Sequence, residues 1–458
     1  MTHGRQEEAL DELERLAFTY FSNEVDDRTG LVRDNTRPGV PASIAGSGFA
    51  LACYAVGAER GYLRRDEAAA RVRTTLDFLW RAPQTDGADA TGWRGLYYHF
   101  LAMETGRRVW TSELSTVDSG IALAGALTAG MYFDRDTPVE RDVRRLADAL
   151  YRRADWRWAT NGGRTLSQGW RPESGFLRCG WEGYTEALFL YILGLGSPTH
   201  ALDVDSYAAW RESYRWVRVY GYDYLYAGPL FIHQLSHCWI DFRGIQDAYM
   251  RDRGLDYFEN SRRATYVHRA YARRNPRRWR CYAADCWGVT ASDGPGPATR
   301  VYAGERRRFY GYHARGVPFG IDDGTLSPWA MAASLPFAPE IVLQGLAAVD
   351  VAYPAARHGY GYFGSFNPSF PTASASGARP APGAAADGGG WTSPAHYAIN
   401  QGPIVLMVEN YRSGLVWRLM RQCPYVVAGL RRAGFAGGWL DAAGSPSSMR
   451  ERRRPDRR

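Results

Sequence analysis

Val117-Asp-Ser-Gly-Ile-Ala-Leu-Ala-Gly-Ala-Leu-Thr-Ala-Gly-Met-Tyr132 carries one charge, near its start, and is apolar on every side of a helical wheel. A turn containing Pro138 follows, and then Val139-Glu-Arg-Asp-Val-Arg-Arg-Leu-Ala-Asp-Ala-Leu-Tyr-Arg-Arg153. Here Val143, Leu146, Ala147 and Leu150 fall on one stripe and the charges on the other faces. A helix apolar all round is buried, whereas a striped helix covers a core from outside. The pair therefore predicts one inner and one outer helix.

The alternation extends in both directions. Apolar segments at 44–59, 184–194, 231–249, 329–335 and 404–408 are interleaved with charged, striped segments at 66–80, 205–219, 255–274, 339–349 and 415–432. A further striped helix at 7–21, with Leu10, Leu13, Leu16, Ala17 and Phe21 aligned, precedes them all. Six inner and six outer helices predict an all-α fold, an (α/α)6 barrel. Short β hairpins and long loops near 93–100, 300–312 and 360–370 are expected at its mouth. No shift in composition divides the chain, so a single domain is expected over 6–440, with a disordered Arg-rich tail at 441–458 and a mobile Ala/Gly/Pro/Ser loop at 372–390.

The composition excludes several classes. Of the 458 residues, 45% are hydrophobic and 14% aromatic, enough to bury a large core and too many for a disordered chain. No apolar run reaches the roughly 18 residues of a membrane-spanning helix. The opening Met1-Thr-His-Gly-Arg-Gln-Glu-Glu8 lacks the layout of a secretory signal, giving the expectation of a cytoplasmic protein. The net charge of +8 comes entirely from Arg, much of it in the tail and on outer helices. No nucleic-acid or membrane partner is expected from it. The six cysteines lack a C-x-x-C pair and read mostly as small buried hydrophobes rather than a disulfide framework or zinc site.

Two motifs fail on context. Gly359-Tyr-Gly-Tyr-Phe-Gly364 matches a dinucleotide fingerprint, but Pro368 blocks the helix that should follow. His233-Gln-Leu-Ser-His237 with Asp241 places three metal-type ligands at helical spacing, yet Gln234 stands where a zinc protease needs its glutamate base. No metal is expected, and the histidines are read as hydrogen-bonding a ligand or a core neighbour.

The informative feature is a set of carboxylates among aromatics where inner helices begin. Glu113 and Asp118 open one inner helix, and Glu182 and Glu186 the next. Asp241, Asp293, Asp322, Asp323 and Glu409 sit on later elements, with Trp110, Trp181, Trp239, Trp287, Trp329 and Trp391 beside them. In a closed ring of hairpins the inner N-termini meet at one end, which concentrates these groups above an apolar barrel. Glycosidic cleavage needs one protonated carboxyl group and one ionised partner, and sugars need flat apolar faces. Apolar surroundings raise the acid, and a polar site, here near Arg243 or Arg412, keeps the other charged.

Several runs resemble a known family: Ser43-Ile-Ala-Gly-Ser-Gly-Phe49, Trp181-Glu-Gly-Tyr-Thr-Glu-Ala187, Gly196-Ser-Pro-Thr-His200, Ser236-His-Cys-Trp-Ile-Asp-Phe-Arg243, Ala291-Ser-Asp-Gly-Pro-Gly296, Gly316-Val-Pro-Phe-Gly320, and Asn400-Gln-Gly-Pro-Ile404 with Glu409-Asn-Tyr-Arg412. Together, spread over nearly the whole chain, they resemble the bacterial glucoamylase-like family that includes endo-β-1,2-glucanases and is related to the transglycosylating domain of cyclic β-1,2-glucan synthases. The resemblance implies an (α/α)6 barrel without metal or organic cofactor that acts on β-1,2-glucan or its oligosaccharides, within the chain and by inversion. A transglycosylase or a non-catalytic glucan binder is the alternative. It implies Glu186 as the acid and Asp118 as the likeliest second carboxylate. Some relatives carry Asp where this chain has Asn400, so Asp293 and Glu409 are kept as other bases. Glu113, Trp110, Trp181, Glu182, His237, Asp241, Arg243, Asp293, Asp322, Asp323, Trp329, Asn400, Gln401, Glu409 and Arg412 are the expected substrate-binding set.

Overall fold

The computed structural model describes residues 3–371 and 390–442, so the expected loop at 372–390 and the tail from 441 lie almost entirely outside the described residues. Helix α1 (His3–Asn23) comes first. Three helical hairpins follow, pairing α2 (Ile44–Arg60) with α3 (Arg65–Arg81), α4 (Thr116–Tyr132) with α5 (Pro138–Arg153), and α6 (Leu188–Gly196) with α7 (Val204–Arg211). Two 3-10 turns, Leu230–His233 and Leu235–Cys238, lead to α8 (Ala248–Asp252) and α9 (Tyr257–Arg274). The chain continues through α10 (Pro328–Ala333), α11 (Pro339–Ala352), α12 (Ala398–Arg412), α13 (Leu415–Arg421), α14 (Pro424–Arg432) and α15 (Gly438–Ala442).

The inner ring runs α2–α4–α6, then the two 3-10 turns, then α10 and α12, which packs back on α2. Hydrogen bonds close the ring at the turns. The Phe189 amide donates to Ser236 Oγ at 3.1 Å, and Gln234 Nε2 donates to the Ala330 carbonyl at 2.6 Å and to Ser334 Oγ at 2.7 Å. The inner helices are buried around nearly their whole circumference, as their lack of charge requires. Helices α2 and α4 approach most closely, and glycine makes this possible. A Cβ on Gly125 would fall 1.9 Å from the Gly48 carbonyl oxygen, and one on Gly48 would fall 2.5 Å from Ala122 Cα. Ser43 and Ser115 cap α2 and α4 by accepting from the amides of Gly46 and Asp118.

Three expectations about elements are corrected. The sixth outer position is filled by α1, which packs on α12, whereas 415–432 breaks at Cys423-Pro424 into α13 and α14, and α14 packs on α6. The fourth inner segment is not a helix over 231–249 but the pair of 3-10 turns. The outer helix expected over 205–219 stops at Arg211, because Trp216–Val219 and Tyr222–Leu225 alternate as a β hairpin about Tyr220-Gly221. Strand pairing is also fuller than expected. A five-stranded antiparallel sheet joins Gly92–Trp93, Leu96–Tyr98, Leu114–Ser115, Gly169–Arg171 and Gly175–Phe176, and a hairpin pairs Ala298–Tyr302 with Glu305–Phe309.

Cys281 and Cys286 form a disulfide, which the reading of the cysteines did not anticipate; their Cα atoms lie 5.9 Å apart across a tight turn. Cys53, Cys238 and Cys423 are buried thiols and Cys179 is exposed. Among the described residues no helix is long and apolar enough to cross a membrane.

Candidate active site

A cavity of about 550 Å³ opens at the end of the ring where α4 and α12 begin. Asp118 reaches it from the first turn of α4, Glu186 from the residues just before α6, and Asn400 from the first turn of α12. Gln234 and Leu235 come from the 3-10 turns, and Trp329 from α10. Phe100, from a short strand paired with Ala42–Ser43, and loops carrying Asp34, Arg37, His99, Asp293, Tyr312 and Tyr397 complete the wall.

The carboxylates stand in different surroundings. Glu186 is pushed up to about 7, chiefly by burial and further by the negative charge of Asp118. It therefore keeps its proton near neutrality. Asp118 accepts a hydrogen bond from the Ser115 hydroxyl and lies 3.7 Å from His99 Nε2. The other nitrogen of His99 is 2.9 Å from Glu113 Oε1. Burial opposes a charge on His99, yet Asp118 and Glu113 outweigh it and hold the ring protonated up to about 9. Glu113 is driven down to about 2 in return, first by its hydrogen bond to His99. A Glu113–His99–Asp118 row thus places a cation between two carboxylates, in the same cavity wall as a Glu186 carboxyl group that stays protonated up to about 7.

Asp293, also on the cavity wall, is held by other partners. Its Oδ2 is engaged by the Arg37 guanidinium and accepts from the hydroxyls of Tyr397 and Ser393, each at 3.1 Å. Asp34 accepts from Asn35 Nδ2 at 2.9 Å and is raised by burial. Tyr312 is 62% exposed yet lies near Asp34, Asp118, Glu186 and Asp293; desolvation first, and then those charges, push its hydroxyl up to about 12.

Of the residues named from sequence, Glu186, Asp118, Asp293, Trp329 and Asn400 line this cavity, with Glu113 one layer behind. The others lie elsewhere. Asp241 pairs with Arg243 and Arg421, and Arg243 covers the Trp417 ring. Glu409 pairs with Arg60, and Arg412 binds Glu7, Asp11 and Glu14. Glu409 lies nine residues beyond Asn400 on α12, about 14 Å along the helix. Gln401 donates to the Tyr362 carbonyl. His237 is buried against Ser261, and burial drives it down to about 3, so it is neutral. Asp322 accepts from Tyr271 and Tyr282, and Asp323 is buried with Arg315. Trp181 donates to Thr116 Oγ1 in the core, Glu182 is exposed, and Trp110 stands at the surface beside Phe100. The expected ring of indoles is mostly core; the cavity's aromatic faces are Phe100, Phe231, Tyr312, Trp329 and Tyr397. His233, His237 and Asp241 do not converge, and no metal-type cluster of three exists among the described residues.

Asp34, Arg37, His99, Tyr312 and Tyr397 were missed by sequence reasoning. The available signal was position: Tyr397 immediately precedes α12, and His99 closes the aromatic run Leu96-Tyr-Tyr-His99 that leads toward α4.

An (α/α)6 ring with a protonated and an ionisable carboxyl group at its mouth is an arrangement suited to sugar chemistry. The chain belongs to the family described as "Putative glucoamylase", which matches residues 178–424. A solved structure described as a putative glucoamylase from Bacteroides uniformis is 29% identical, with a TM-score of 0.81 over 95% of this chain and 98% of that one. An endo-β-1,2-glucanase from Chitinophaga pinensis, solved with sophorotriose and glucose, is 26% identical with a TM-score of 0.80, covering 95% of this chain and 99% of that one. A curated relative from Parabacteroides distasonis, an exo β-1,2-glucooligosaccharide sophorohydrolase acting at the non-reducing end, is 26% identical over 93% of this chain. The chain spans 58% of the length of that relative.

Proposed function

We propose that this chain, as one barrel domain over about residues 6–440, is a glycoside hydrolase that cleaves β-1,2-linked glucose chains or their oligosaccharides. The observation that carries the proposal is Glu186, a carboxyl group kept protonated to about 7 in the same cavity as Asp118. In this reading Glu186 gives its proton to the leaving glycosidic oxygen. Asp118, oriented by Ser115 and His99, takes a proton from the attacking water on the other face of the sugar, so the anomeric centre inverts. Arg37 and Asp293 hold sugar hydroxyls, and Trp329 and Tyr312 offer ring faces. The names of the relatives support β-1,2-linked glucose as the substrate class.

The test is incubation with linear β-1,2-glucan and, separately, laminarin, cellulose oligomers and starch, following reducing ends, product length and anomeric form. New reducing ends of inverted configuration from the first alone are expected. Redistribution of lengths without new ends would instead define a transglycosylase, and binding without change a non-catalytic glucan binder. The rate should fall as pH rises through about 7, where Glu186 loses its proton. The same group makes stability fall with rising pH between the ordinary value of 4.5 and about 7, because the folded state retains a proton that the unfolded state releases. A rate unchanged from pH 6 to 9 would remove Glu186 from the acid role.

A further inference from the structure

Trp110 and Thr111 form a two-residue turn in which both residues are left-handed, with φ of 59° and 50°, and the Ser112 amide donates to the Val109 carbonyl at 3.1 Å. This backbone suits glycine or asparagine and disfavours a bulky or β-branched side chain. Five other places among the described residues have two successive positive φ values: Arg94-Gly95, Asn161-Gly162, Tyr220-Gly221, Ala303-Gly304 and Gly437-Gly438. Each of those closes on glycine. The Trp110-Thr111 turn alone keeps two strained side chains, and strain of this kind persists where the surrounding structure over-determines it. The clamp is visible: Arg108, almost fully buried, donates through Nε to the Ser112 carbonyl at 2.5 Å and through its other nitrogens to Glu173.

The strained turn presents the indole of Trp110 to solvent, 62% exposed, although a large apolar ring gains by burial. The ring is not isolated. Its centroid is 5.2 Å from that of Phe100, which stacks on His99 at 3.9 Å with 12° between planes. Phe100 and His99 line the cavity. A continuous aromatic row therefore runs from the surface to the carboxylates.

We propose that Trp110 is a stacking platform for a glucose unit of the substrate outside the cavity, so that it sets the preference for longer chains. The proposal rests on the glycosidase reading and goes beyond it by naming what determines chain length. The occupant is the continuation of the same glucan that fills the cavity, because the aromatic row is continuous with the cavity wall. Indole faces bind the C–H faces of sugar rings through apolar stacking, and removing one such ring from a rim weakens binding about five- to tenfold.

The test measures KM and kcat for wild type and Trp110→Ala on linear β-1,2-glucooligosaccharides of increasing length. KM for long chains should rise about five- to tenfold, kcat should hold, and the effect should shrink toward the shortest substrate. Trp110→Phe should restore most of the loss. An equal effect at every length, or none, would overturn the platform while leaving the glycosidase reading intact. Thr111→Gly should raise the melting temperature by about 1–2 °C by relieving the strained φ; a fall would count against the strain argument. If wild type cleaves a different glucan, the same length series is run on that glucan. If it cleaves none, calorimetric titration of β-1,2-glucan chains into wild type and Trp110→Ala reads the platform directly. Absence of glucan binding by wild type would then overturn both readings.

Discussion

Glu186→Gln is expected to lower turnover on β-1,2-glucan by about 10²–10⁴-fold, the usual contribution of a positioned general acid. Glutamine keeps the shape of the side chain but has no proton of suitable acidity for the leaving oxygen. The loss should appear in kcat with KM little changed, because the proton is needed only as the bond breaks. Folding should be intact, and the melting temperature above pH 7 should be equal or higher, since the variant no longer holds a desolvated carboxylate there. Initial rates of reducing-end release and thermal melts at pH 6 and 8 check both halves. Near-normal turnover would shift the acid role to another cavity carboxylate.

Asp323→Ala is expected to cost the most stability. Arg315 and Asp323 are both fully buried, and their ion pair has N–O distances of 2.7 and 2.9 Å. Removing one partner of a buried pair costs about 3–5 kcal/mol, because the other charge is left uncompensated. For a cooperative chain of 458 residues that corresponds to a fall of roughly 3–5 °C in melting temperature. The effect should reach activity too. Arg315 also donates to the carbonyls of Ser292, Asp293, Tyr310 and Gly311, so it ties the strand before Asp293 to the loop that carries Tyr312. Adding Arg315→Met should restore part of the stability, since neither charge then remains buried alone, without restoring the rate. A single variant that melts like wild type would show that water reaches the pair.

Both predictions also mark what was legible in the sequence. The ring was readable because apolar-all-round and striped helices differ in composition, and Glu186 and Asp118 were readable because they sit where inner helices begin. Asp241 and Arg243 looked equivalent to them only on the assumption of a helix through 231–249. The observed 3-10 turns end at Cys238; only Phe231, Gln234 and Leu235 of this segment line the cavity, and Asp241 beyond it is claimed by Arg243 and Arg421. Asp323 gave the opposite difficulty: an acidic pair in a Gly-rich loop looks like ligand chemistry, and only the fold reveals the buried Arg315 that claims it. Asp34 and Arg37 reach the cavity from a connection without periodicity, so nothing in the pattern separated them from ordinary surface charges.

The placement of α1 as the sixth outer helix has a consequence for biosynthesis. Its apolar stripe and the buried Glu14 have their main partners on α12 and at Arg412, almost four hundred residues later in the chain. At a ribosomal rate of about 5–20 residues per second, α1 waits roughly 20–80 s for the segment that shelters it. Until then only the part of the stripe around Phe18, which meets Tyr54 and Tyr62, can be covered; the rest is a sticky amphipathic face, a natural hold-point for a chaperone, and the enclosure is sealed only when the last inner helix arrives.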